Sequence, residues 1–338
     1  MNPRHRRLLI PGLLIVLLVV VLISSVTGRS DGATAQPEVV STLSDGRINE
    51  SSGLVISPDD PDRAYTINDS GGAPVVYAVS VSTGRTLGAA TVDADLVDTE
   101  ALSIDRDGTL WIADTGDNSG QRDDVALYSL PEIADGTTTV TARRFPITYP
   151  GGPLDVEALA IDPTSGAKFL ISKGLFGGTV FSLPGRLSPD RPNEAKTLAG
   201  DVPGLVTDAA FTPDGRFVVA RDYTEAYVLD PVTWQIVTSF DLPPVDQGET
   251  LAMEAGGRSF LVGSEGTASP LIRVPFTPPA TDDDGAGSTP SPTPSATASG
   301  RVATPPGNSG FAGATWFWGF VVVALLAAVS AAMTTKRR

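Results

Sequence analysis

The stretch "GGPLDVEALAIDP", residues 151–163, places two carboxylates, Asp155 and Glu157, directly before an apolar run that is typical of a buried strand. Closely similar stretches recur along the chain: "VDTEALSIDRDG" (97–108), "VTDAAFTPDG" (206–215) and "QGETLAMEAGG" (247–257). A charge beside an apolar core is costly unless it is solvated, paired or bound to a cation. The recurrence therefore indicates both a repeat architecture and a repeated acid that needs an explanation.

Five repeat units align, beginning near residues 49, 97, 154, 205 and 246. Each unit contains a short apolar strand, a turn rich in Gly, Asp or Pro, a strongly apolar second strand and a third strand, and most units add a fourth. This pattern predicts an all-β fold, a β-propeller with five blades.

The last unit ends after three strands, at Phe276, and "EVVSTL" (38–43) could supply its fourth strand and close the ring. Six blades are the alternative, because the long segment 182–205 could contain further strands. The regular repeat makes a β-sandwich the weaker interpretation.

The two ends of the chain predict a surface-tethered protein. Residues 1–35 combine basic residues with an apolar run and resemble a signal peptide or an N-terminal anchor. Residues 278–312, rich in Pro, Ser and Thr, predict an extended stalk. Residues 313–338 predict a transmembrane helix with a basic cytoplasmic tail. We therefore expect the propeller, 36–277, outside the cell on a single-pass or doubly anchored membrane protein.

Composition excludes several kinds of chemistry. The chain has no Cys, and its single His is His5 in the basic leader, so thiol catalysis, a Ser-His-Asp triad and imidazole-ligated metals are excluded from the domain. A metal here would be an oxygen-ligated cation such as Ca²⁺ or Mg²⁺. Residues 36–277 carry 16 Lys and Arg against 35 Asp and Glu, a net charge of −19. This charge disfavours nucleic acid as a partner and favours cations.

Alignment of the repeats predicts two sets of converging residues around one mouth of the central funnel. The first set, at the start of each inner strand, is Ser52, Glu100, Glu157, Asp208 and Glu249. The second set, where each second strand ends, is Asp69, Asp114, Lys173, Arg221 and Glu265. Like charges at one mouth need compensation. We therefore expect either a bound ligand or cation, or a salt-bridged plug in which Lys173 and Arg221 pair with the acids.

The predicted ligand-binding residues are Glu100, Asp114, Glu157, Lys173, Asp208, Arg221, Tyr223, Glu249 and Glu265. The predicted metal ligands, should the mouth hold Ca²⁺, are Glu100, Glu157, Asp208 and Glu249.

Two further acidic stretches favour structural roles. The loop "ADTGDNSGQRDD" (113–124) lacks the EF-hand spacing and is more typical of a turn network. The acids of "DADLVDTE" (93–100) are expected mostly to face solvent.

These motifs resemble a group of uncharacterised exported β-propellers that are frequent in actinobacteria. The matching segments are "IADTGDN" (112–118), "DVEALAIDP" (155–163), "LISK" (170–173), "VTDAAFTPDGR" (206–216), "VVARDY" (218–223), "QGETLA" (247–252) and "GSEG" (263–266). The acid-Glu-Ala-Leu opening is more distantly similar to phytase/esterase-like and lactonase-type propellers. That second resemblance implies a Ca²⁺ ion in the funnel. Ser52, Lys173 and Arg221 depart from a simple Ca²⁺ cage.

The sequence therefore predicts a membrane-tethered binding module that presents an acidic funnel to a small ligand, a glycan or a protein. The alternative is a Ca²⁺-dependent hydrolase of phosphate or carboxylate esters, with metal-bound water as nucleophile and a carboxylate as base. A structural cell-envelope protein is the second alternative. Whether the protein is an enzyme stays open, and Ca²⁺ is a candidate cofactor only.

Overall fold

The computed structural model describes residues 36–69 and 72–280, without the side chains of 199–201. The predicted N-terminal segment, the transmembrane helix and nearly all of the predicted stalk lie outside the described residues. Among the described residues, no helix has the length and apolar character needed to span a membrane.

The described residues form strands and no helix. In chain order the strands are β1 (Glu38–Thr42), β2 (Ser51–Ile56), β3 (Arg63–Asn68), β4 (Val75–Ser80), β5 (Thr86–Val92), β6 (Thr99–Ile104), β7 (Thr109–Asp114), β8 (Ala126–Pro131), β9 (Gly136–Val140), β10 (Arg143–Thr148), β11 (Val156–Ile161), β12 (Lys168–Ser172), β13 (Gly178–Ser182), β14 (Asn193–Glu194), β15 (Lys196–Val202), β16 (Asp208–Phe211), β17 (Val218–Arg221), β18 (Glu225–Leu229), β19 (Ile236–Asp241), β20 (Thr250–Met253), β21 (Ser259–Gly263) and β22 (Pro270–Pro275).

These strands form five sheets, each built mainly from consecutive antiparallel strands. The inner strands of blades 1 to 5 are β2, β6, β11, β16 and β20, and each contacts the next, with β20 contacting β2. The inner strands therefore close a ring, and the prediction of a five-bladed β-propeller is confirmed.

The ring closes through β1, as the sequence predicts. This strand pairs antiparallel with β22, with Glu38 opposite Arg273 and Thr42 opposite Pro270. The Arg273 guanidinium lies 2.8 Å from carboxylate oxygens of both Glu38 and Glu254. The N-terminal strand therefore completes the last blade and covers its edge.

The segment 182–205 holds two strands but no sixth blade. Its longer strand, β15, is the outer strand of blade 3. Its shorter strand, β14, adds in parallel to the outer strand of blade 2, as β9 does to that of blade 1. The six-bladed alternative is therefore wrong, because the extra residues extend existing sheets.

Five separate apolar clusters hold the blades together, one at each interface between neighbouring blades. Blades 3 and 4, for example, meet around Trp234, which is 1 % exposed, with Phe169 and Phe211 against its ring. Face-to-face packing of twisted sheets buries the alternating apolar side chains of the inner strands. Because the inner strands run in the same direction, all five begin at one mouth of the funnel.

Candidate functional site

The acids predicted from the repeat lie at this mouth, where the inner strands begin. Ser52, Glu100, Glu157, Asp208 and Glu249 are all buried, with 4 % or less of each residue exposed. Four carboxyl groups are therefore taken out of water at one end of the funnel. Their partners differ from blade to blade, and these partners decide what each residue can do.

Glu100 is at the centre of a group of five carboxylates. Its carboxylate lies within 4.8 Å of oxygens of Asp69 and Asp98, and also within 4.8 Å of oxygens of Asp155 and Glu157. We call these five residues, which come from blades 1, 2 and 3, the Glu100 cluster. Oxygen donors in this number suit a hard cation.

The loop after β7 orients two members of the Glu100 cluster. The Asp98 amide donates a hydrogen bond of 2.9 Å to Asp114 Oδ1, which also accepts from Arg122 Nη2 at 2.8 Å. The Asp117 amide donates to Asp155 Oδ1 at 2.8 Å. Asp114 therefore supports the cluster from behind.

The same loop is the predicted turn network rather than a metal loop. The Asp117 carboxylate accepts hydrogen bonds from Ser119, Gln121 and Arg122. Burial by itself would raise the pKa of Asp117, but these hydrogen bonds outweigh it and lower this pKa. At its centre, Gly116 leaves room for the cluster. A Cβ atom there would lie 2.1 Å from Glu100 Oε1.

The electrostatics of the Glu100 cluster disfavour its charged state. Burial raises the pKa of Glu100 to about 10, and the Glu157 and Asp69 carboxylates add to the rise. Burial also raises the pKa of Asp98. No described residue donates a hydrogen bond to the Glu100 carboxylate or pairs with it. Glu100 is therefore held in its neutral form at neutral pH, and its charged form has no compensating partner among the described residues.

Glu157 is the member of the cluster that has a basic partner. Lys173 Nζ lies 2.9 Å from Glu157 Oε1 and 5.6 Å from the ring centroid of Tyr223. Burial raises the pKa of Glu157 to about 8, although Lys173 lowers it. Burial by itself would lower the pKa of Lys173, but the Glu157 carboxylate outweighs it and raises this pKa. The expected pairing of Lys173 with an acid is present.

Arg221 does not pair with an acid among the described residues, contrary to our expectation. Its side chain is fully buried and donates to backbone carbonyls, from Nε to Asp222 at 3.0 Å and from Nη1 to Thr250 at 3.0 Å and Gly263 at 3.3 Å. Burial lowers the pKa of Arg221 to about 10, against the effect of Asp208. Arg221 therefore fixes blade 4 to blade 5 behind the mouth.

Asp208 has a similar structural role. Its carboxylate accepts from the amides of Ala209, at 2.8 Å, and Leu251, at 2.6 Å, the second of which is on the neighbouring blade. Burial raises its pKa to about 8, against the effect of these amides. Asp208 is thus engaged outside the Glu100 cluster, although the sequence predicted it as a metal ligand.

Glu249, the fourth predicted metal ligand, is not one of the carboxylates within 4.8 Å of Glu100, although its charge raises the pKa of Glu157. Its Oε1 accepts from Gln247 Nε2 at 3.0 Å and from the Tyr223 hydroxyl at 3.5 Å. Burial raises the pKa of Glu265 to about 8, helped by a hydrogen bond with Glu249. These two residues form a hydrogen-bonded carboxyl pair on blade 5.

The second aligned set mixes different positions of the blade. The amides of Asp69, Lys173 and Glu265 donate to a carbonyl two residues before the aligned residue of the inner strand. Asp114 lies opposite Thr99 and Arg221 lies opposite Asp208, within the ladders of β7 and β17. Their side chains therefore serve the blade, whereas those of the other three reach the mouth.

Sequence reasoning missed two members of the cluster, Asp98 and Asp155. Each precedes its ring acid by two residues, a spacing that places both side chains on one face of an extended chain. That signal was present in both "DTE" (98–100) and "DVE" (155–157). Asp93 and Asp95 are exposed, as expected, but Asp98 is half-buried in the cluster.

The opposite mouth of the funnel contains a cavity of about 530 Å³. The far ends of the inner strands line it with apolar side chains, including Ile56, Ile161, Phe211 and Met253. None of the predicted site residues borders this cavity. The buried carboxylates predicted from the repeat therefore all lie at the other mouth.

No protein-family model and no curated protein matches the chain. Among solved structures, a gluconolactonase from Xanthomonas campestris matches with 14 % sequence identity and a TM-score of 0.42, over 67 % of this chain and 71 % of that one. A likeness this remote says nothing about the chemistry of the mouth. The fold and the charges together define the class of protein: a β-propeller with one acidic mouth.

Proposed function

We propose that this protein is a cell-surface ligand-binding module whose acidic mouth binds a positively charged ligand. One observation carries the proposal. Glu100 is 3 % exposed and lies among four other carboxylates, yet it has no donor among the described residues. A buried charge of this kind is compensated by protonation or by a bound cation.

Ca²⁺ is the inorganic ligand that fits the cluster. The five side chains offer oxygen donors alone, which is the ligand type that Ca²⁺ prefers. Gly116 leaves open the space beside Glu100 that a side chain would fill. Asp69, Asp98, Glu100, Asp155 and Glu157 would hold the ion, in place of the set predicted from the sequence.

Thermal unfolding of the full-length protein tests the proposal. Millimolar Ca²⁺, added to protein prepared in chelator, should raise the melting temperature. An ion present at 100 times its dissociation constant contributes about 2.7 kcal/mol, or roughly 5–10 °C for a domain of this size. Glu100→Gln should lose this shift, while the exposed control Glu194→Gln should keep it.

Methylammonium chloride is the second probe, compared with sodium chloride at equal ionic strength. A stabilisation by either cation that disappears in Glu100→Gln supports the proposal. The absence of any Glu100-dependent effect of both cations would contradict it.

A Ca²⁺-dependent ester hydrolase is the second candidate, favoured by the carboxyl pair on blade 5. Ca²⁺ would supply the polarisation of an ester oxygen or a water molecule. Glu265 of the Glu249–Glu265 pair, whose pKa burial raises to about 8, would accept or donate a proton nearby. Ca²⁺-dependent release of nitrophenolate from 4-nitrophenyl acetate, abolished in Glu249→Gln with Ca²⁺ binding intact, would support this candidate. Turnover equal in both proteins would exclude the pair from catalysis.

We also propose that the propeller is tethered outside the cell by the C-terminal apolar segment and the stalk. Residues 316–333 contain no charged residue, and Lys336, Arg337 and Arg338 follow them. A purely structural cell-envelope role would leave the uncompensated mouth without a purpose, so it ranks below ligand binding.

A further inference from the structure

An apolar rim borders the acidic mouth. The loop between β12 and β13 follows Lys173 directly and exposes Leu175 to 69 % and Phe176 to 93 %. Leu205, 36 % exposed, is in the segment that leads into β16 at the same mouth. Exposed apolar groups beside a polar site are typical of ligand contacts.

The rim is held in a defined position by its backbone. The Leu205 amide donates to the Gly174 carbonyl at 2.9 Å, and the Gly178 amide donates to the Pro203 carbonyl at 3.1 Å. A Cβ atom at Gly204 would lie 2.8 Å from the Gly174 oxygen, so the two segments pack backbone to backbone. Leu205 itself has a φ of 57°, in the left-handed region that a Leu residue avoids. Strain of this kind is commonly kept at binding sites.

We propose that the rim and the Glu100 cluster form one site, and that its ligand is a small organic cation: a primary ammonium group carried on an apolar body. This inference rests on the proposed function and names the chemical class of its ligand. The Glu100 cluster binds the ammonium group, and Leu175 and Phe176 contact the apolar body.

The protein already shows how an ammonium group is held at this mouth. Lys173 places its own Nζ 2.9 Å from Glu157 Oε1 and over the ring of Tyr223. Glu100, which is 3 % exposed and receives no hydrogen bond from the described residues, is the equivalent acceptor on the next blade. An ammonium group supplies three hydrogen-bond donors, whereas ionised carboxylates can only accept hydrogen bonds, so the two groups are complementary.

The rim and the net charge distinguish this ligand from the other classes. A bare metal ion would leave Phe176 in water, and the apolar rim would contribute nothing to its binding. An anionic amphiphile is repelled by a domain with a charge of −19. An apolar ammonium ion uses both parts of the site.

Isothermal titration calorimetry of the full-length protein tests the inference with three probes. These are 2-phenylethylamine, methylamine, which lacks the apolar body, and 2-phenylethanol, which lacks the charge. The first should bind more tightly than 2-phenylethanol because only the amine carries a charge, and at least about tenfold more tightly than methylamine, the gain expected from partial burial of one aromatic side chain. Phe176→Ser should remove that advantage and leave methylamine binding unchanged.

Val232→Ser is the matched control, because Val232 is 85 % exposed but lies in the β18–β19 turn at the other end of the blade. It should leave all three affinities unchanged. Equal binding of the two amines by the parent protein, or an advantage that persists in Phe176→Ser, would overturn the inference. Glu100-dependent binding of Ca²⁺ or methylamine would still stand in that case, so the two proposals fail separately.

Discussion

Replacement of Glu100 by Gln preserves the shape of the side chain and removes its charge. In a protein whose mouth is free of cations, we expect this variant to be more stable than the parent. The reason is that folding of the parent either forces Glu100 to take up a proton or buries its charge, and each of these costs free energy. Gln has neither cost.

The pKa of Glu100 gives the magnitude. Burial and neighbouring carboxylates raise it from its ordinary value of 4.5 to about 10. A carboxyl group whose pKa is raised by folding contributes stability that is complete below pH 4.5 and is lost as the pH rises towards 10. At pH 7 the loss amounts to about 3 kcal/mol, at 1.36 kcal/mol per pH unit. Structural relaxation and water entry reduce the cost of a buried charge, so we expect an advantage of about 1–3 kcal/mol for Glu100→Gln.

Urea unfolding, followed by tryptophan fluorescence at pH 5, 7 and 9 in chelator, measures this advantage. It should be small at pH 5 and grow with pH, whereas the exposed control Glu194→Gln should stay within about 0.5 kcal/mol of the parent throughout. In millimolar Ca²⁺ the parent should recover stability and the variant should not. A variant less stable than the parent at pH 7 in chelator, or an advantage independent of pH, would refute the reasoning, because Glu100 would then be compensated inside the protein.

Three further predictions concern the ion pair, the blade interface and the tether. Lys173→Met should cost about 3 kcal/mol by leaving its carboxylate partner unpaired, with a larger loss at pH 9 than at pH 5, whereas the exposed Lys196→Met should cost about 0–1 kcal/mol in the same urea titrations. Gly248→Ala should destabilise the protein by at least about 2 kcal/mol, because its Cβ would lie 1.8 Å from Arg221 Nη2, while Gly256→Ala, with no atom within 4 Å, should melt like the parent. Protease treatment of intact cells should release a fragment of about the size of the propeller, and a fully protected domain would contradict the proposed topology.

The number of blades could be predicted because each blade repeats the same constraints. An inner strand buried on both faces reads as an apolar run, and its turns need Gly, Asp or Pro. The closing strand β1 could be predicted by counting the strands of each repeat unit, since the last unit lacks a fourth strand. The parallel additions β9 and β14 could not, because "GTTTV" (136–140) and "NE" (193–194) carry no apolar periodicity.

The contacts of the second set could not be predicted, because local irregularities shift the register. Bulges interrupt the inner pairings of blades 1, 2 and 3, between Ser52 and Leu54, between Thr99 and Ala101, and between Val156 and Ala158. The pairing of β16 with β17 has no bulge. One extra residue re-aims the side chains around it, and nothing in the aligned letters marks which repeat contains the extra residue.

The roles of Lys173 and Arg221 differ for a physical reason that a single sequence does not contain. Lys173 follows the end of β12 and reaches into the mouth, whereas Arg221 is the last residue of β17 and points into the blade interface. A guanidinium group can satisfy several backbone carbonyls in one plane. Arg221 therefore acts as a joint between blades, and Lys173 acts as the charge partner in the mouth.

The partners of the buried charged groups distinguish the residues that stabilise the fold from those that serve binding at this mouth. Asp208 accepts hydrogen bonds from two backbone amides, Arg221 donates to three carbonyls, and Glu157 pairs with Lys173. Each of these buried groups therefore has partners that stabilise the propeller. Glu100 receives no such contact among the described residues, and the interblade cores on either side prevent blades 1, 2 and 3 from relaxing away from it. A rigid scaffold that holds an uncompensated charge is less stable than it could be, and natural proteins keep such a defect chiefly where it serves binding or catalysis. The Glu100 cluster is therefore the part of the described structure whose presence folding alone does not explain, and a cationic ligand is the partner that would remove its cost.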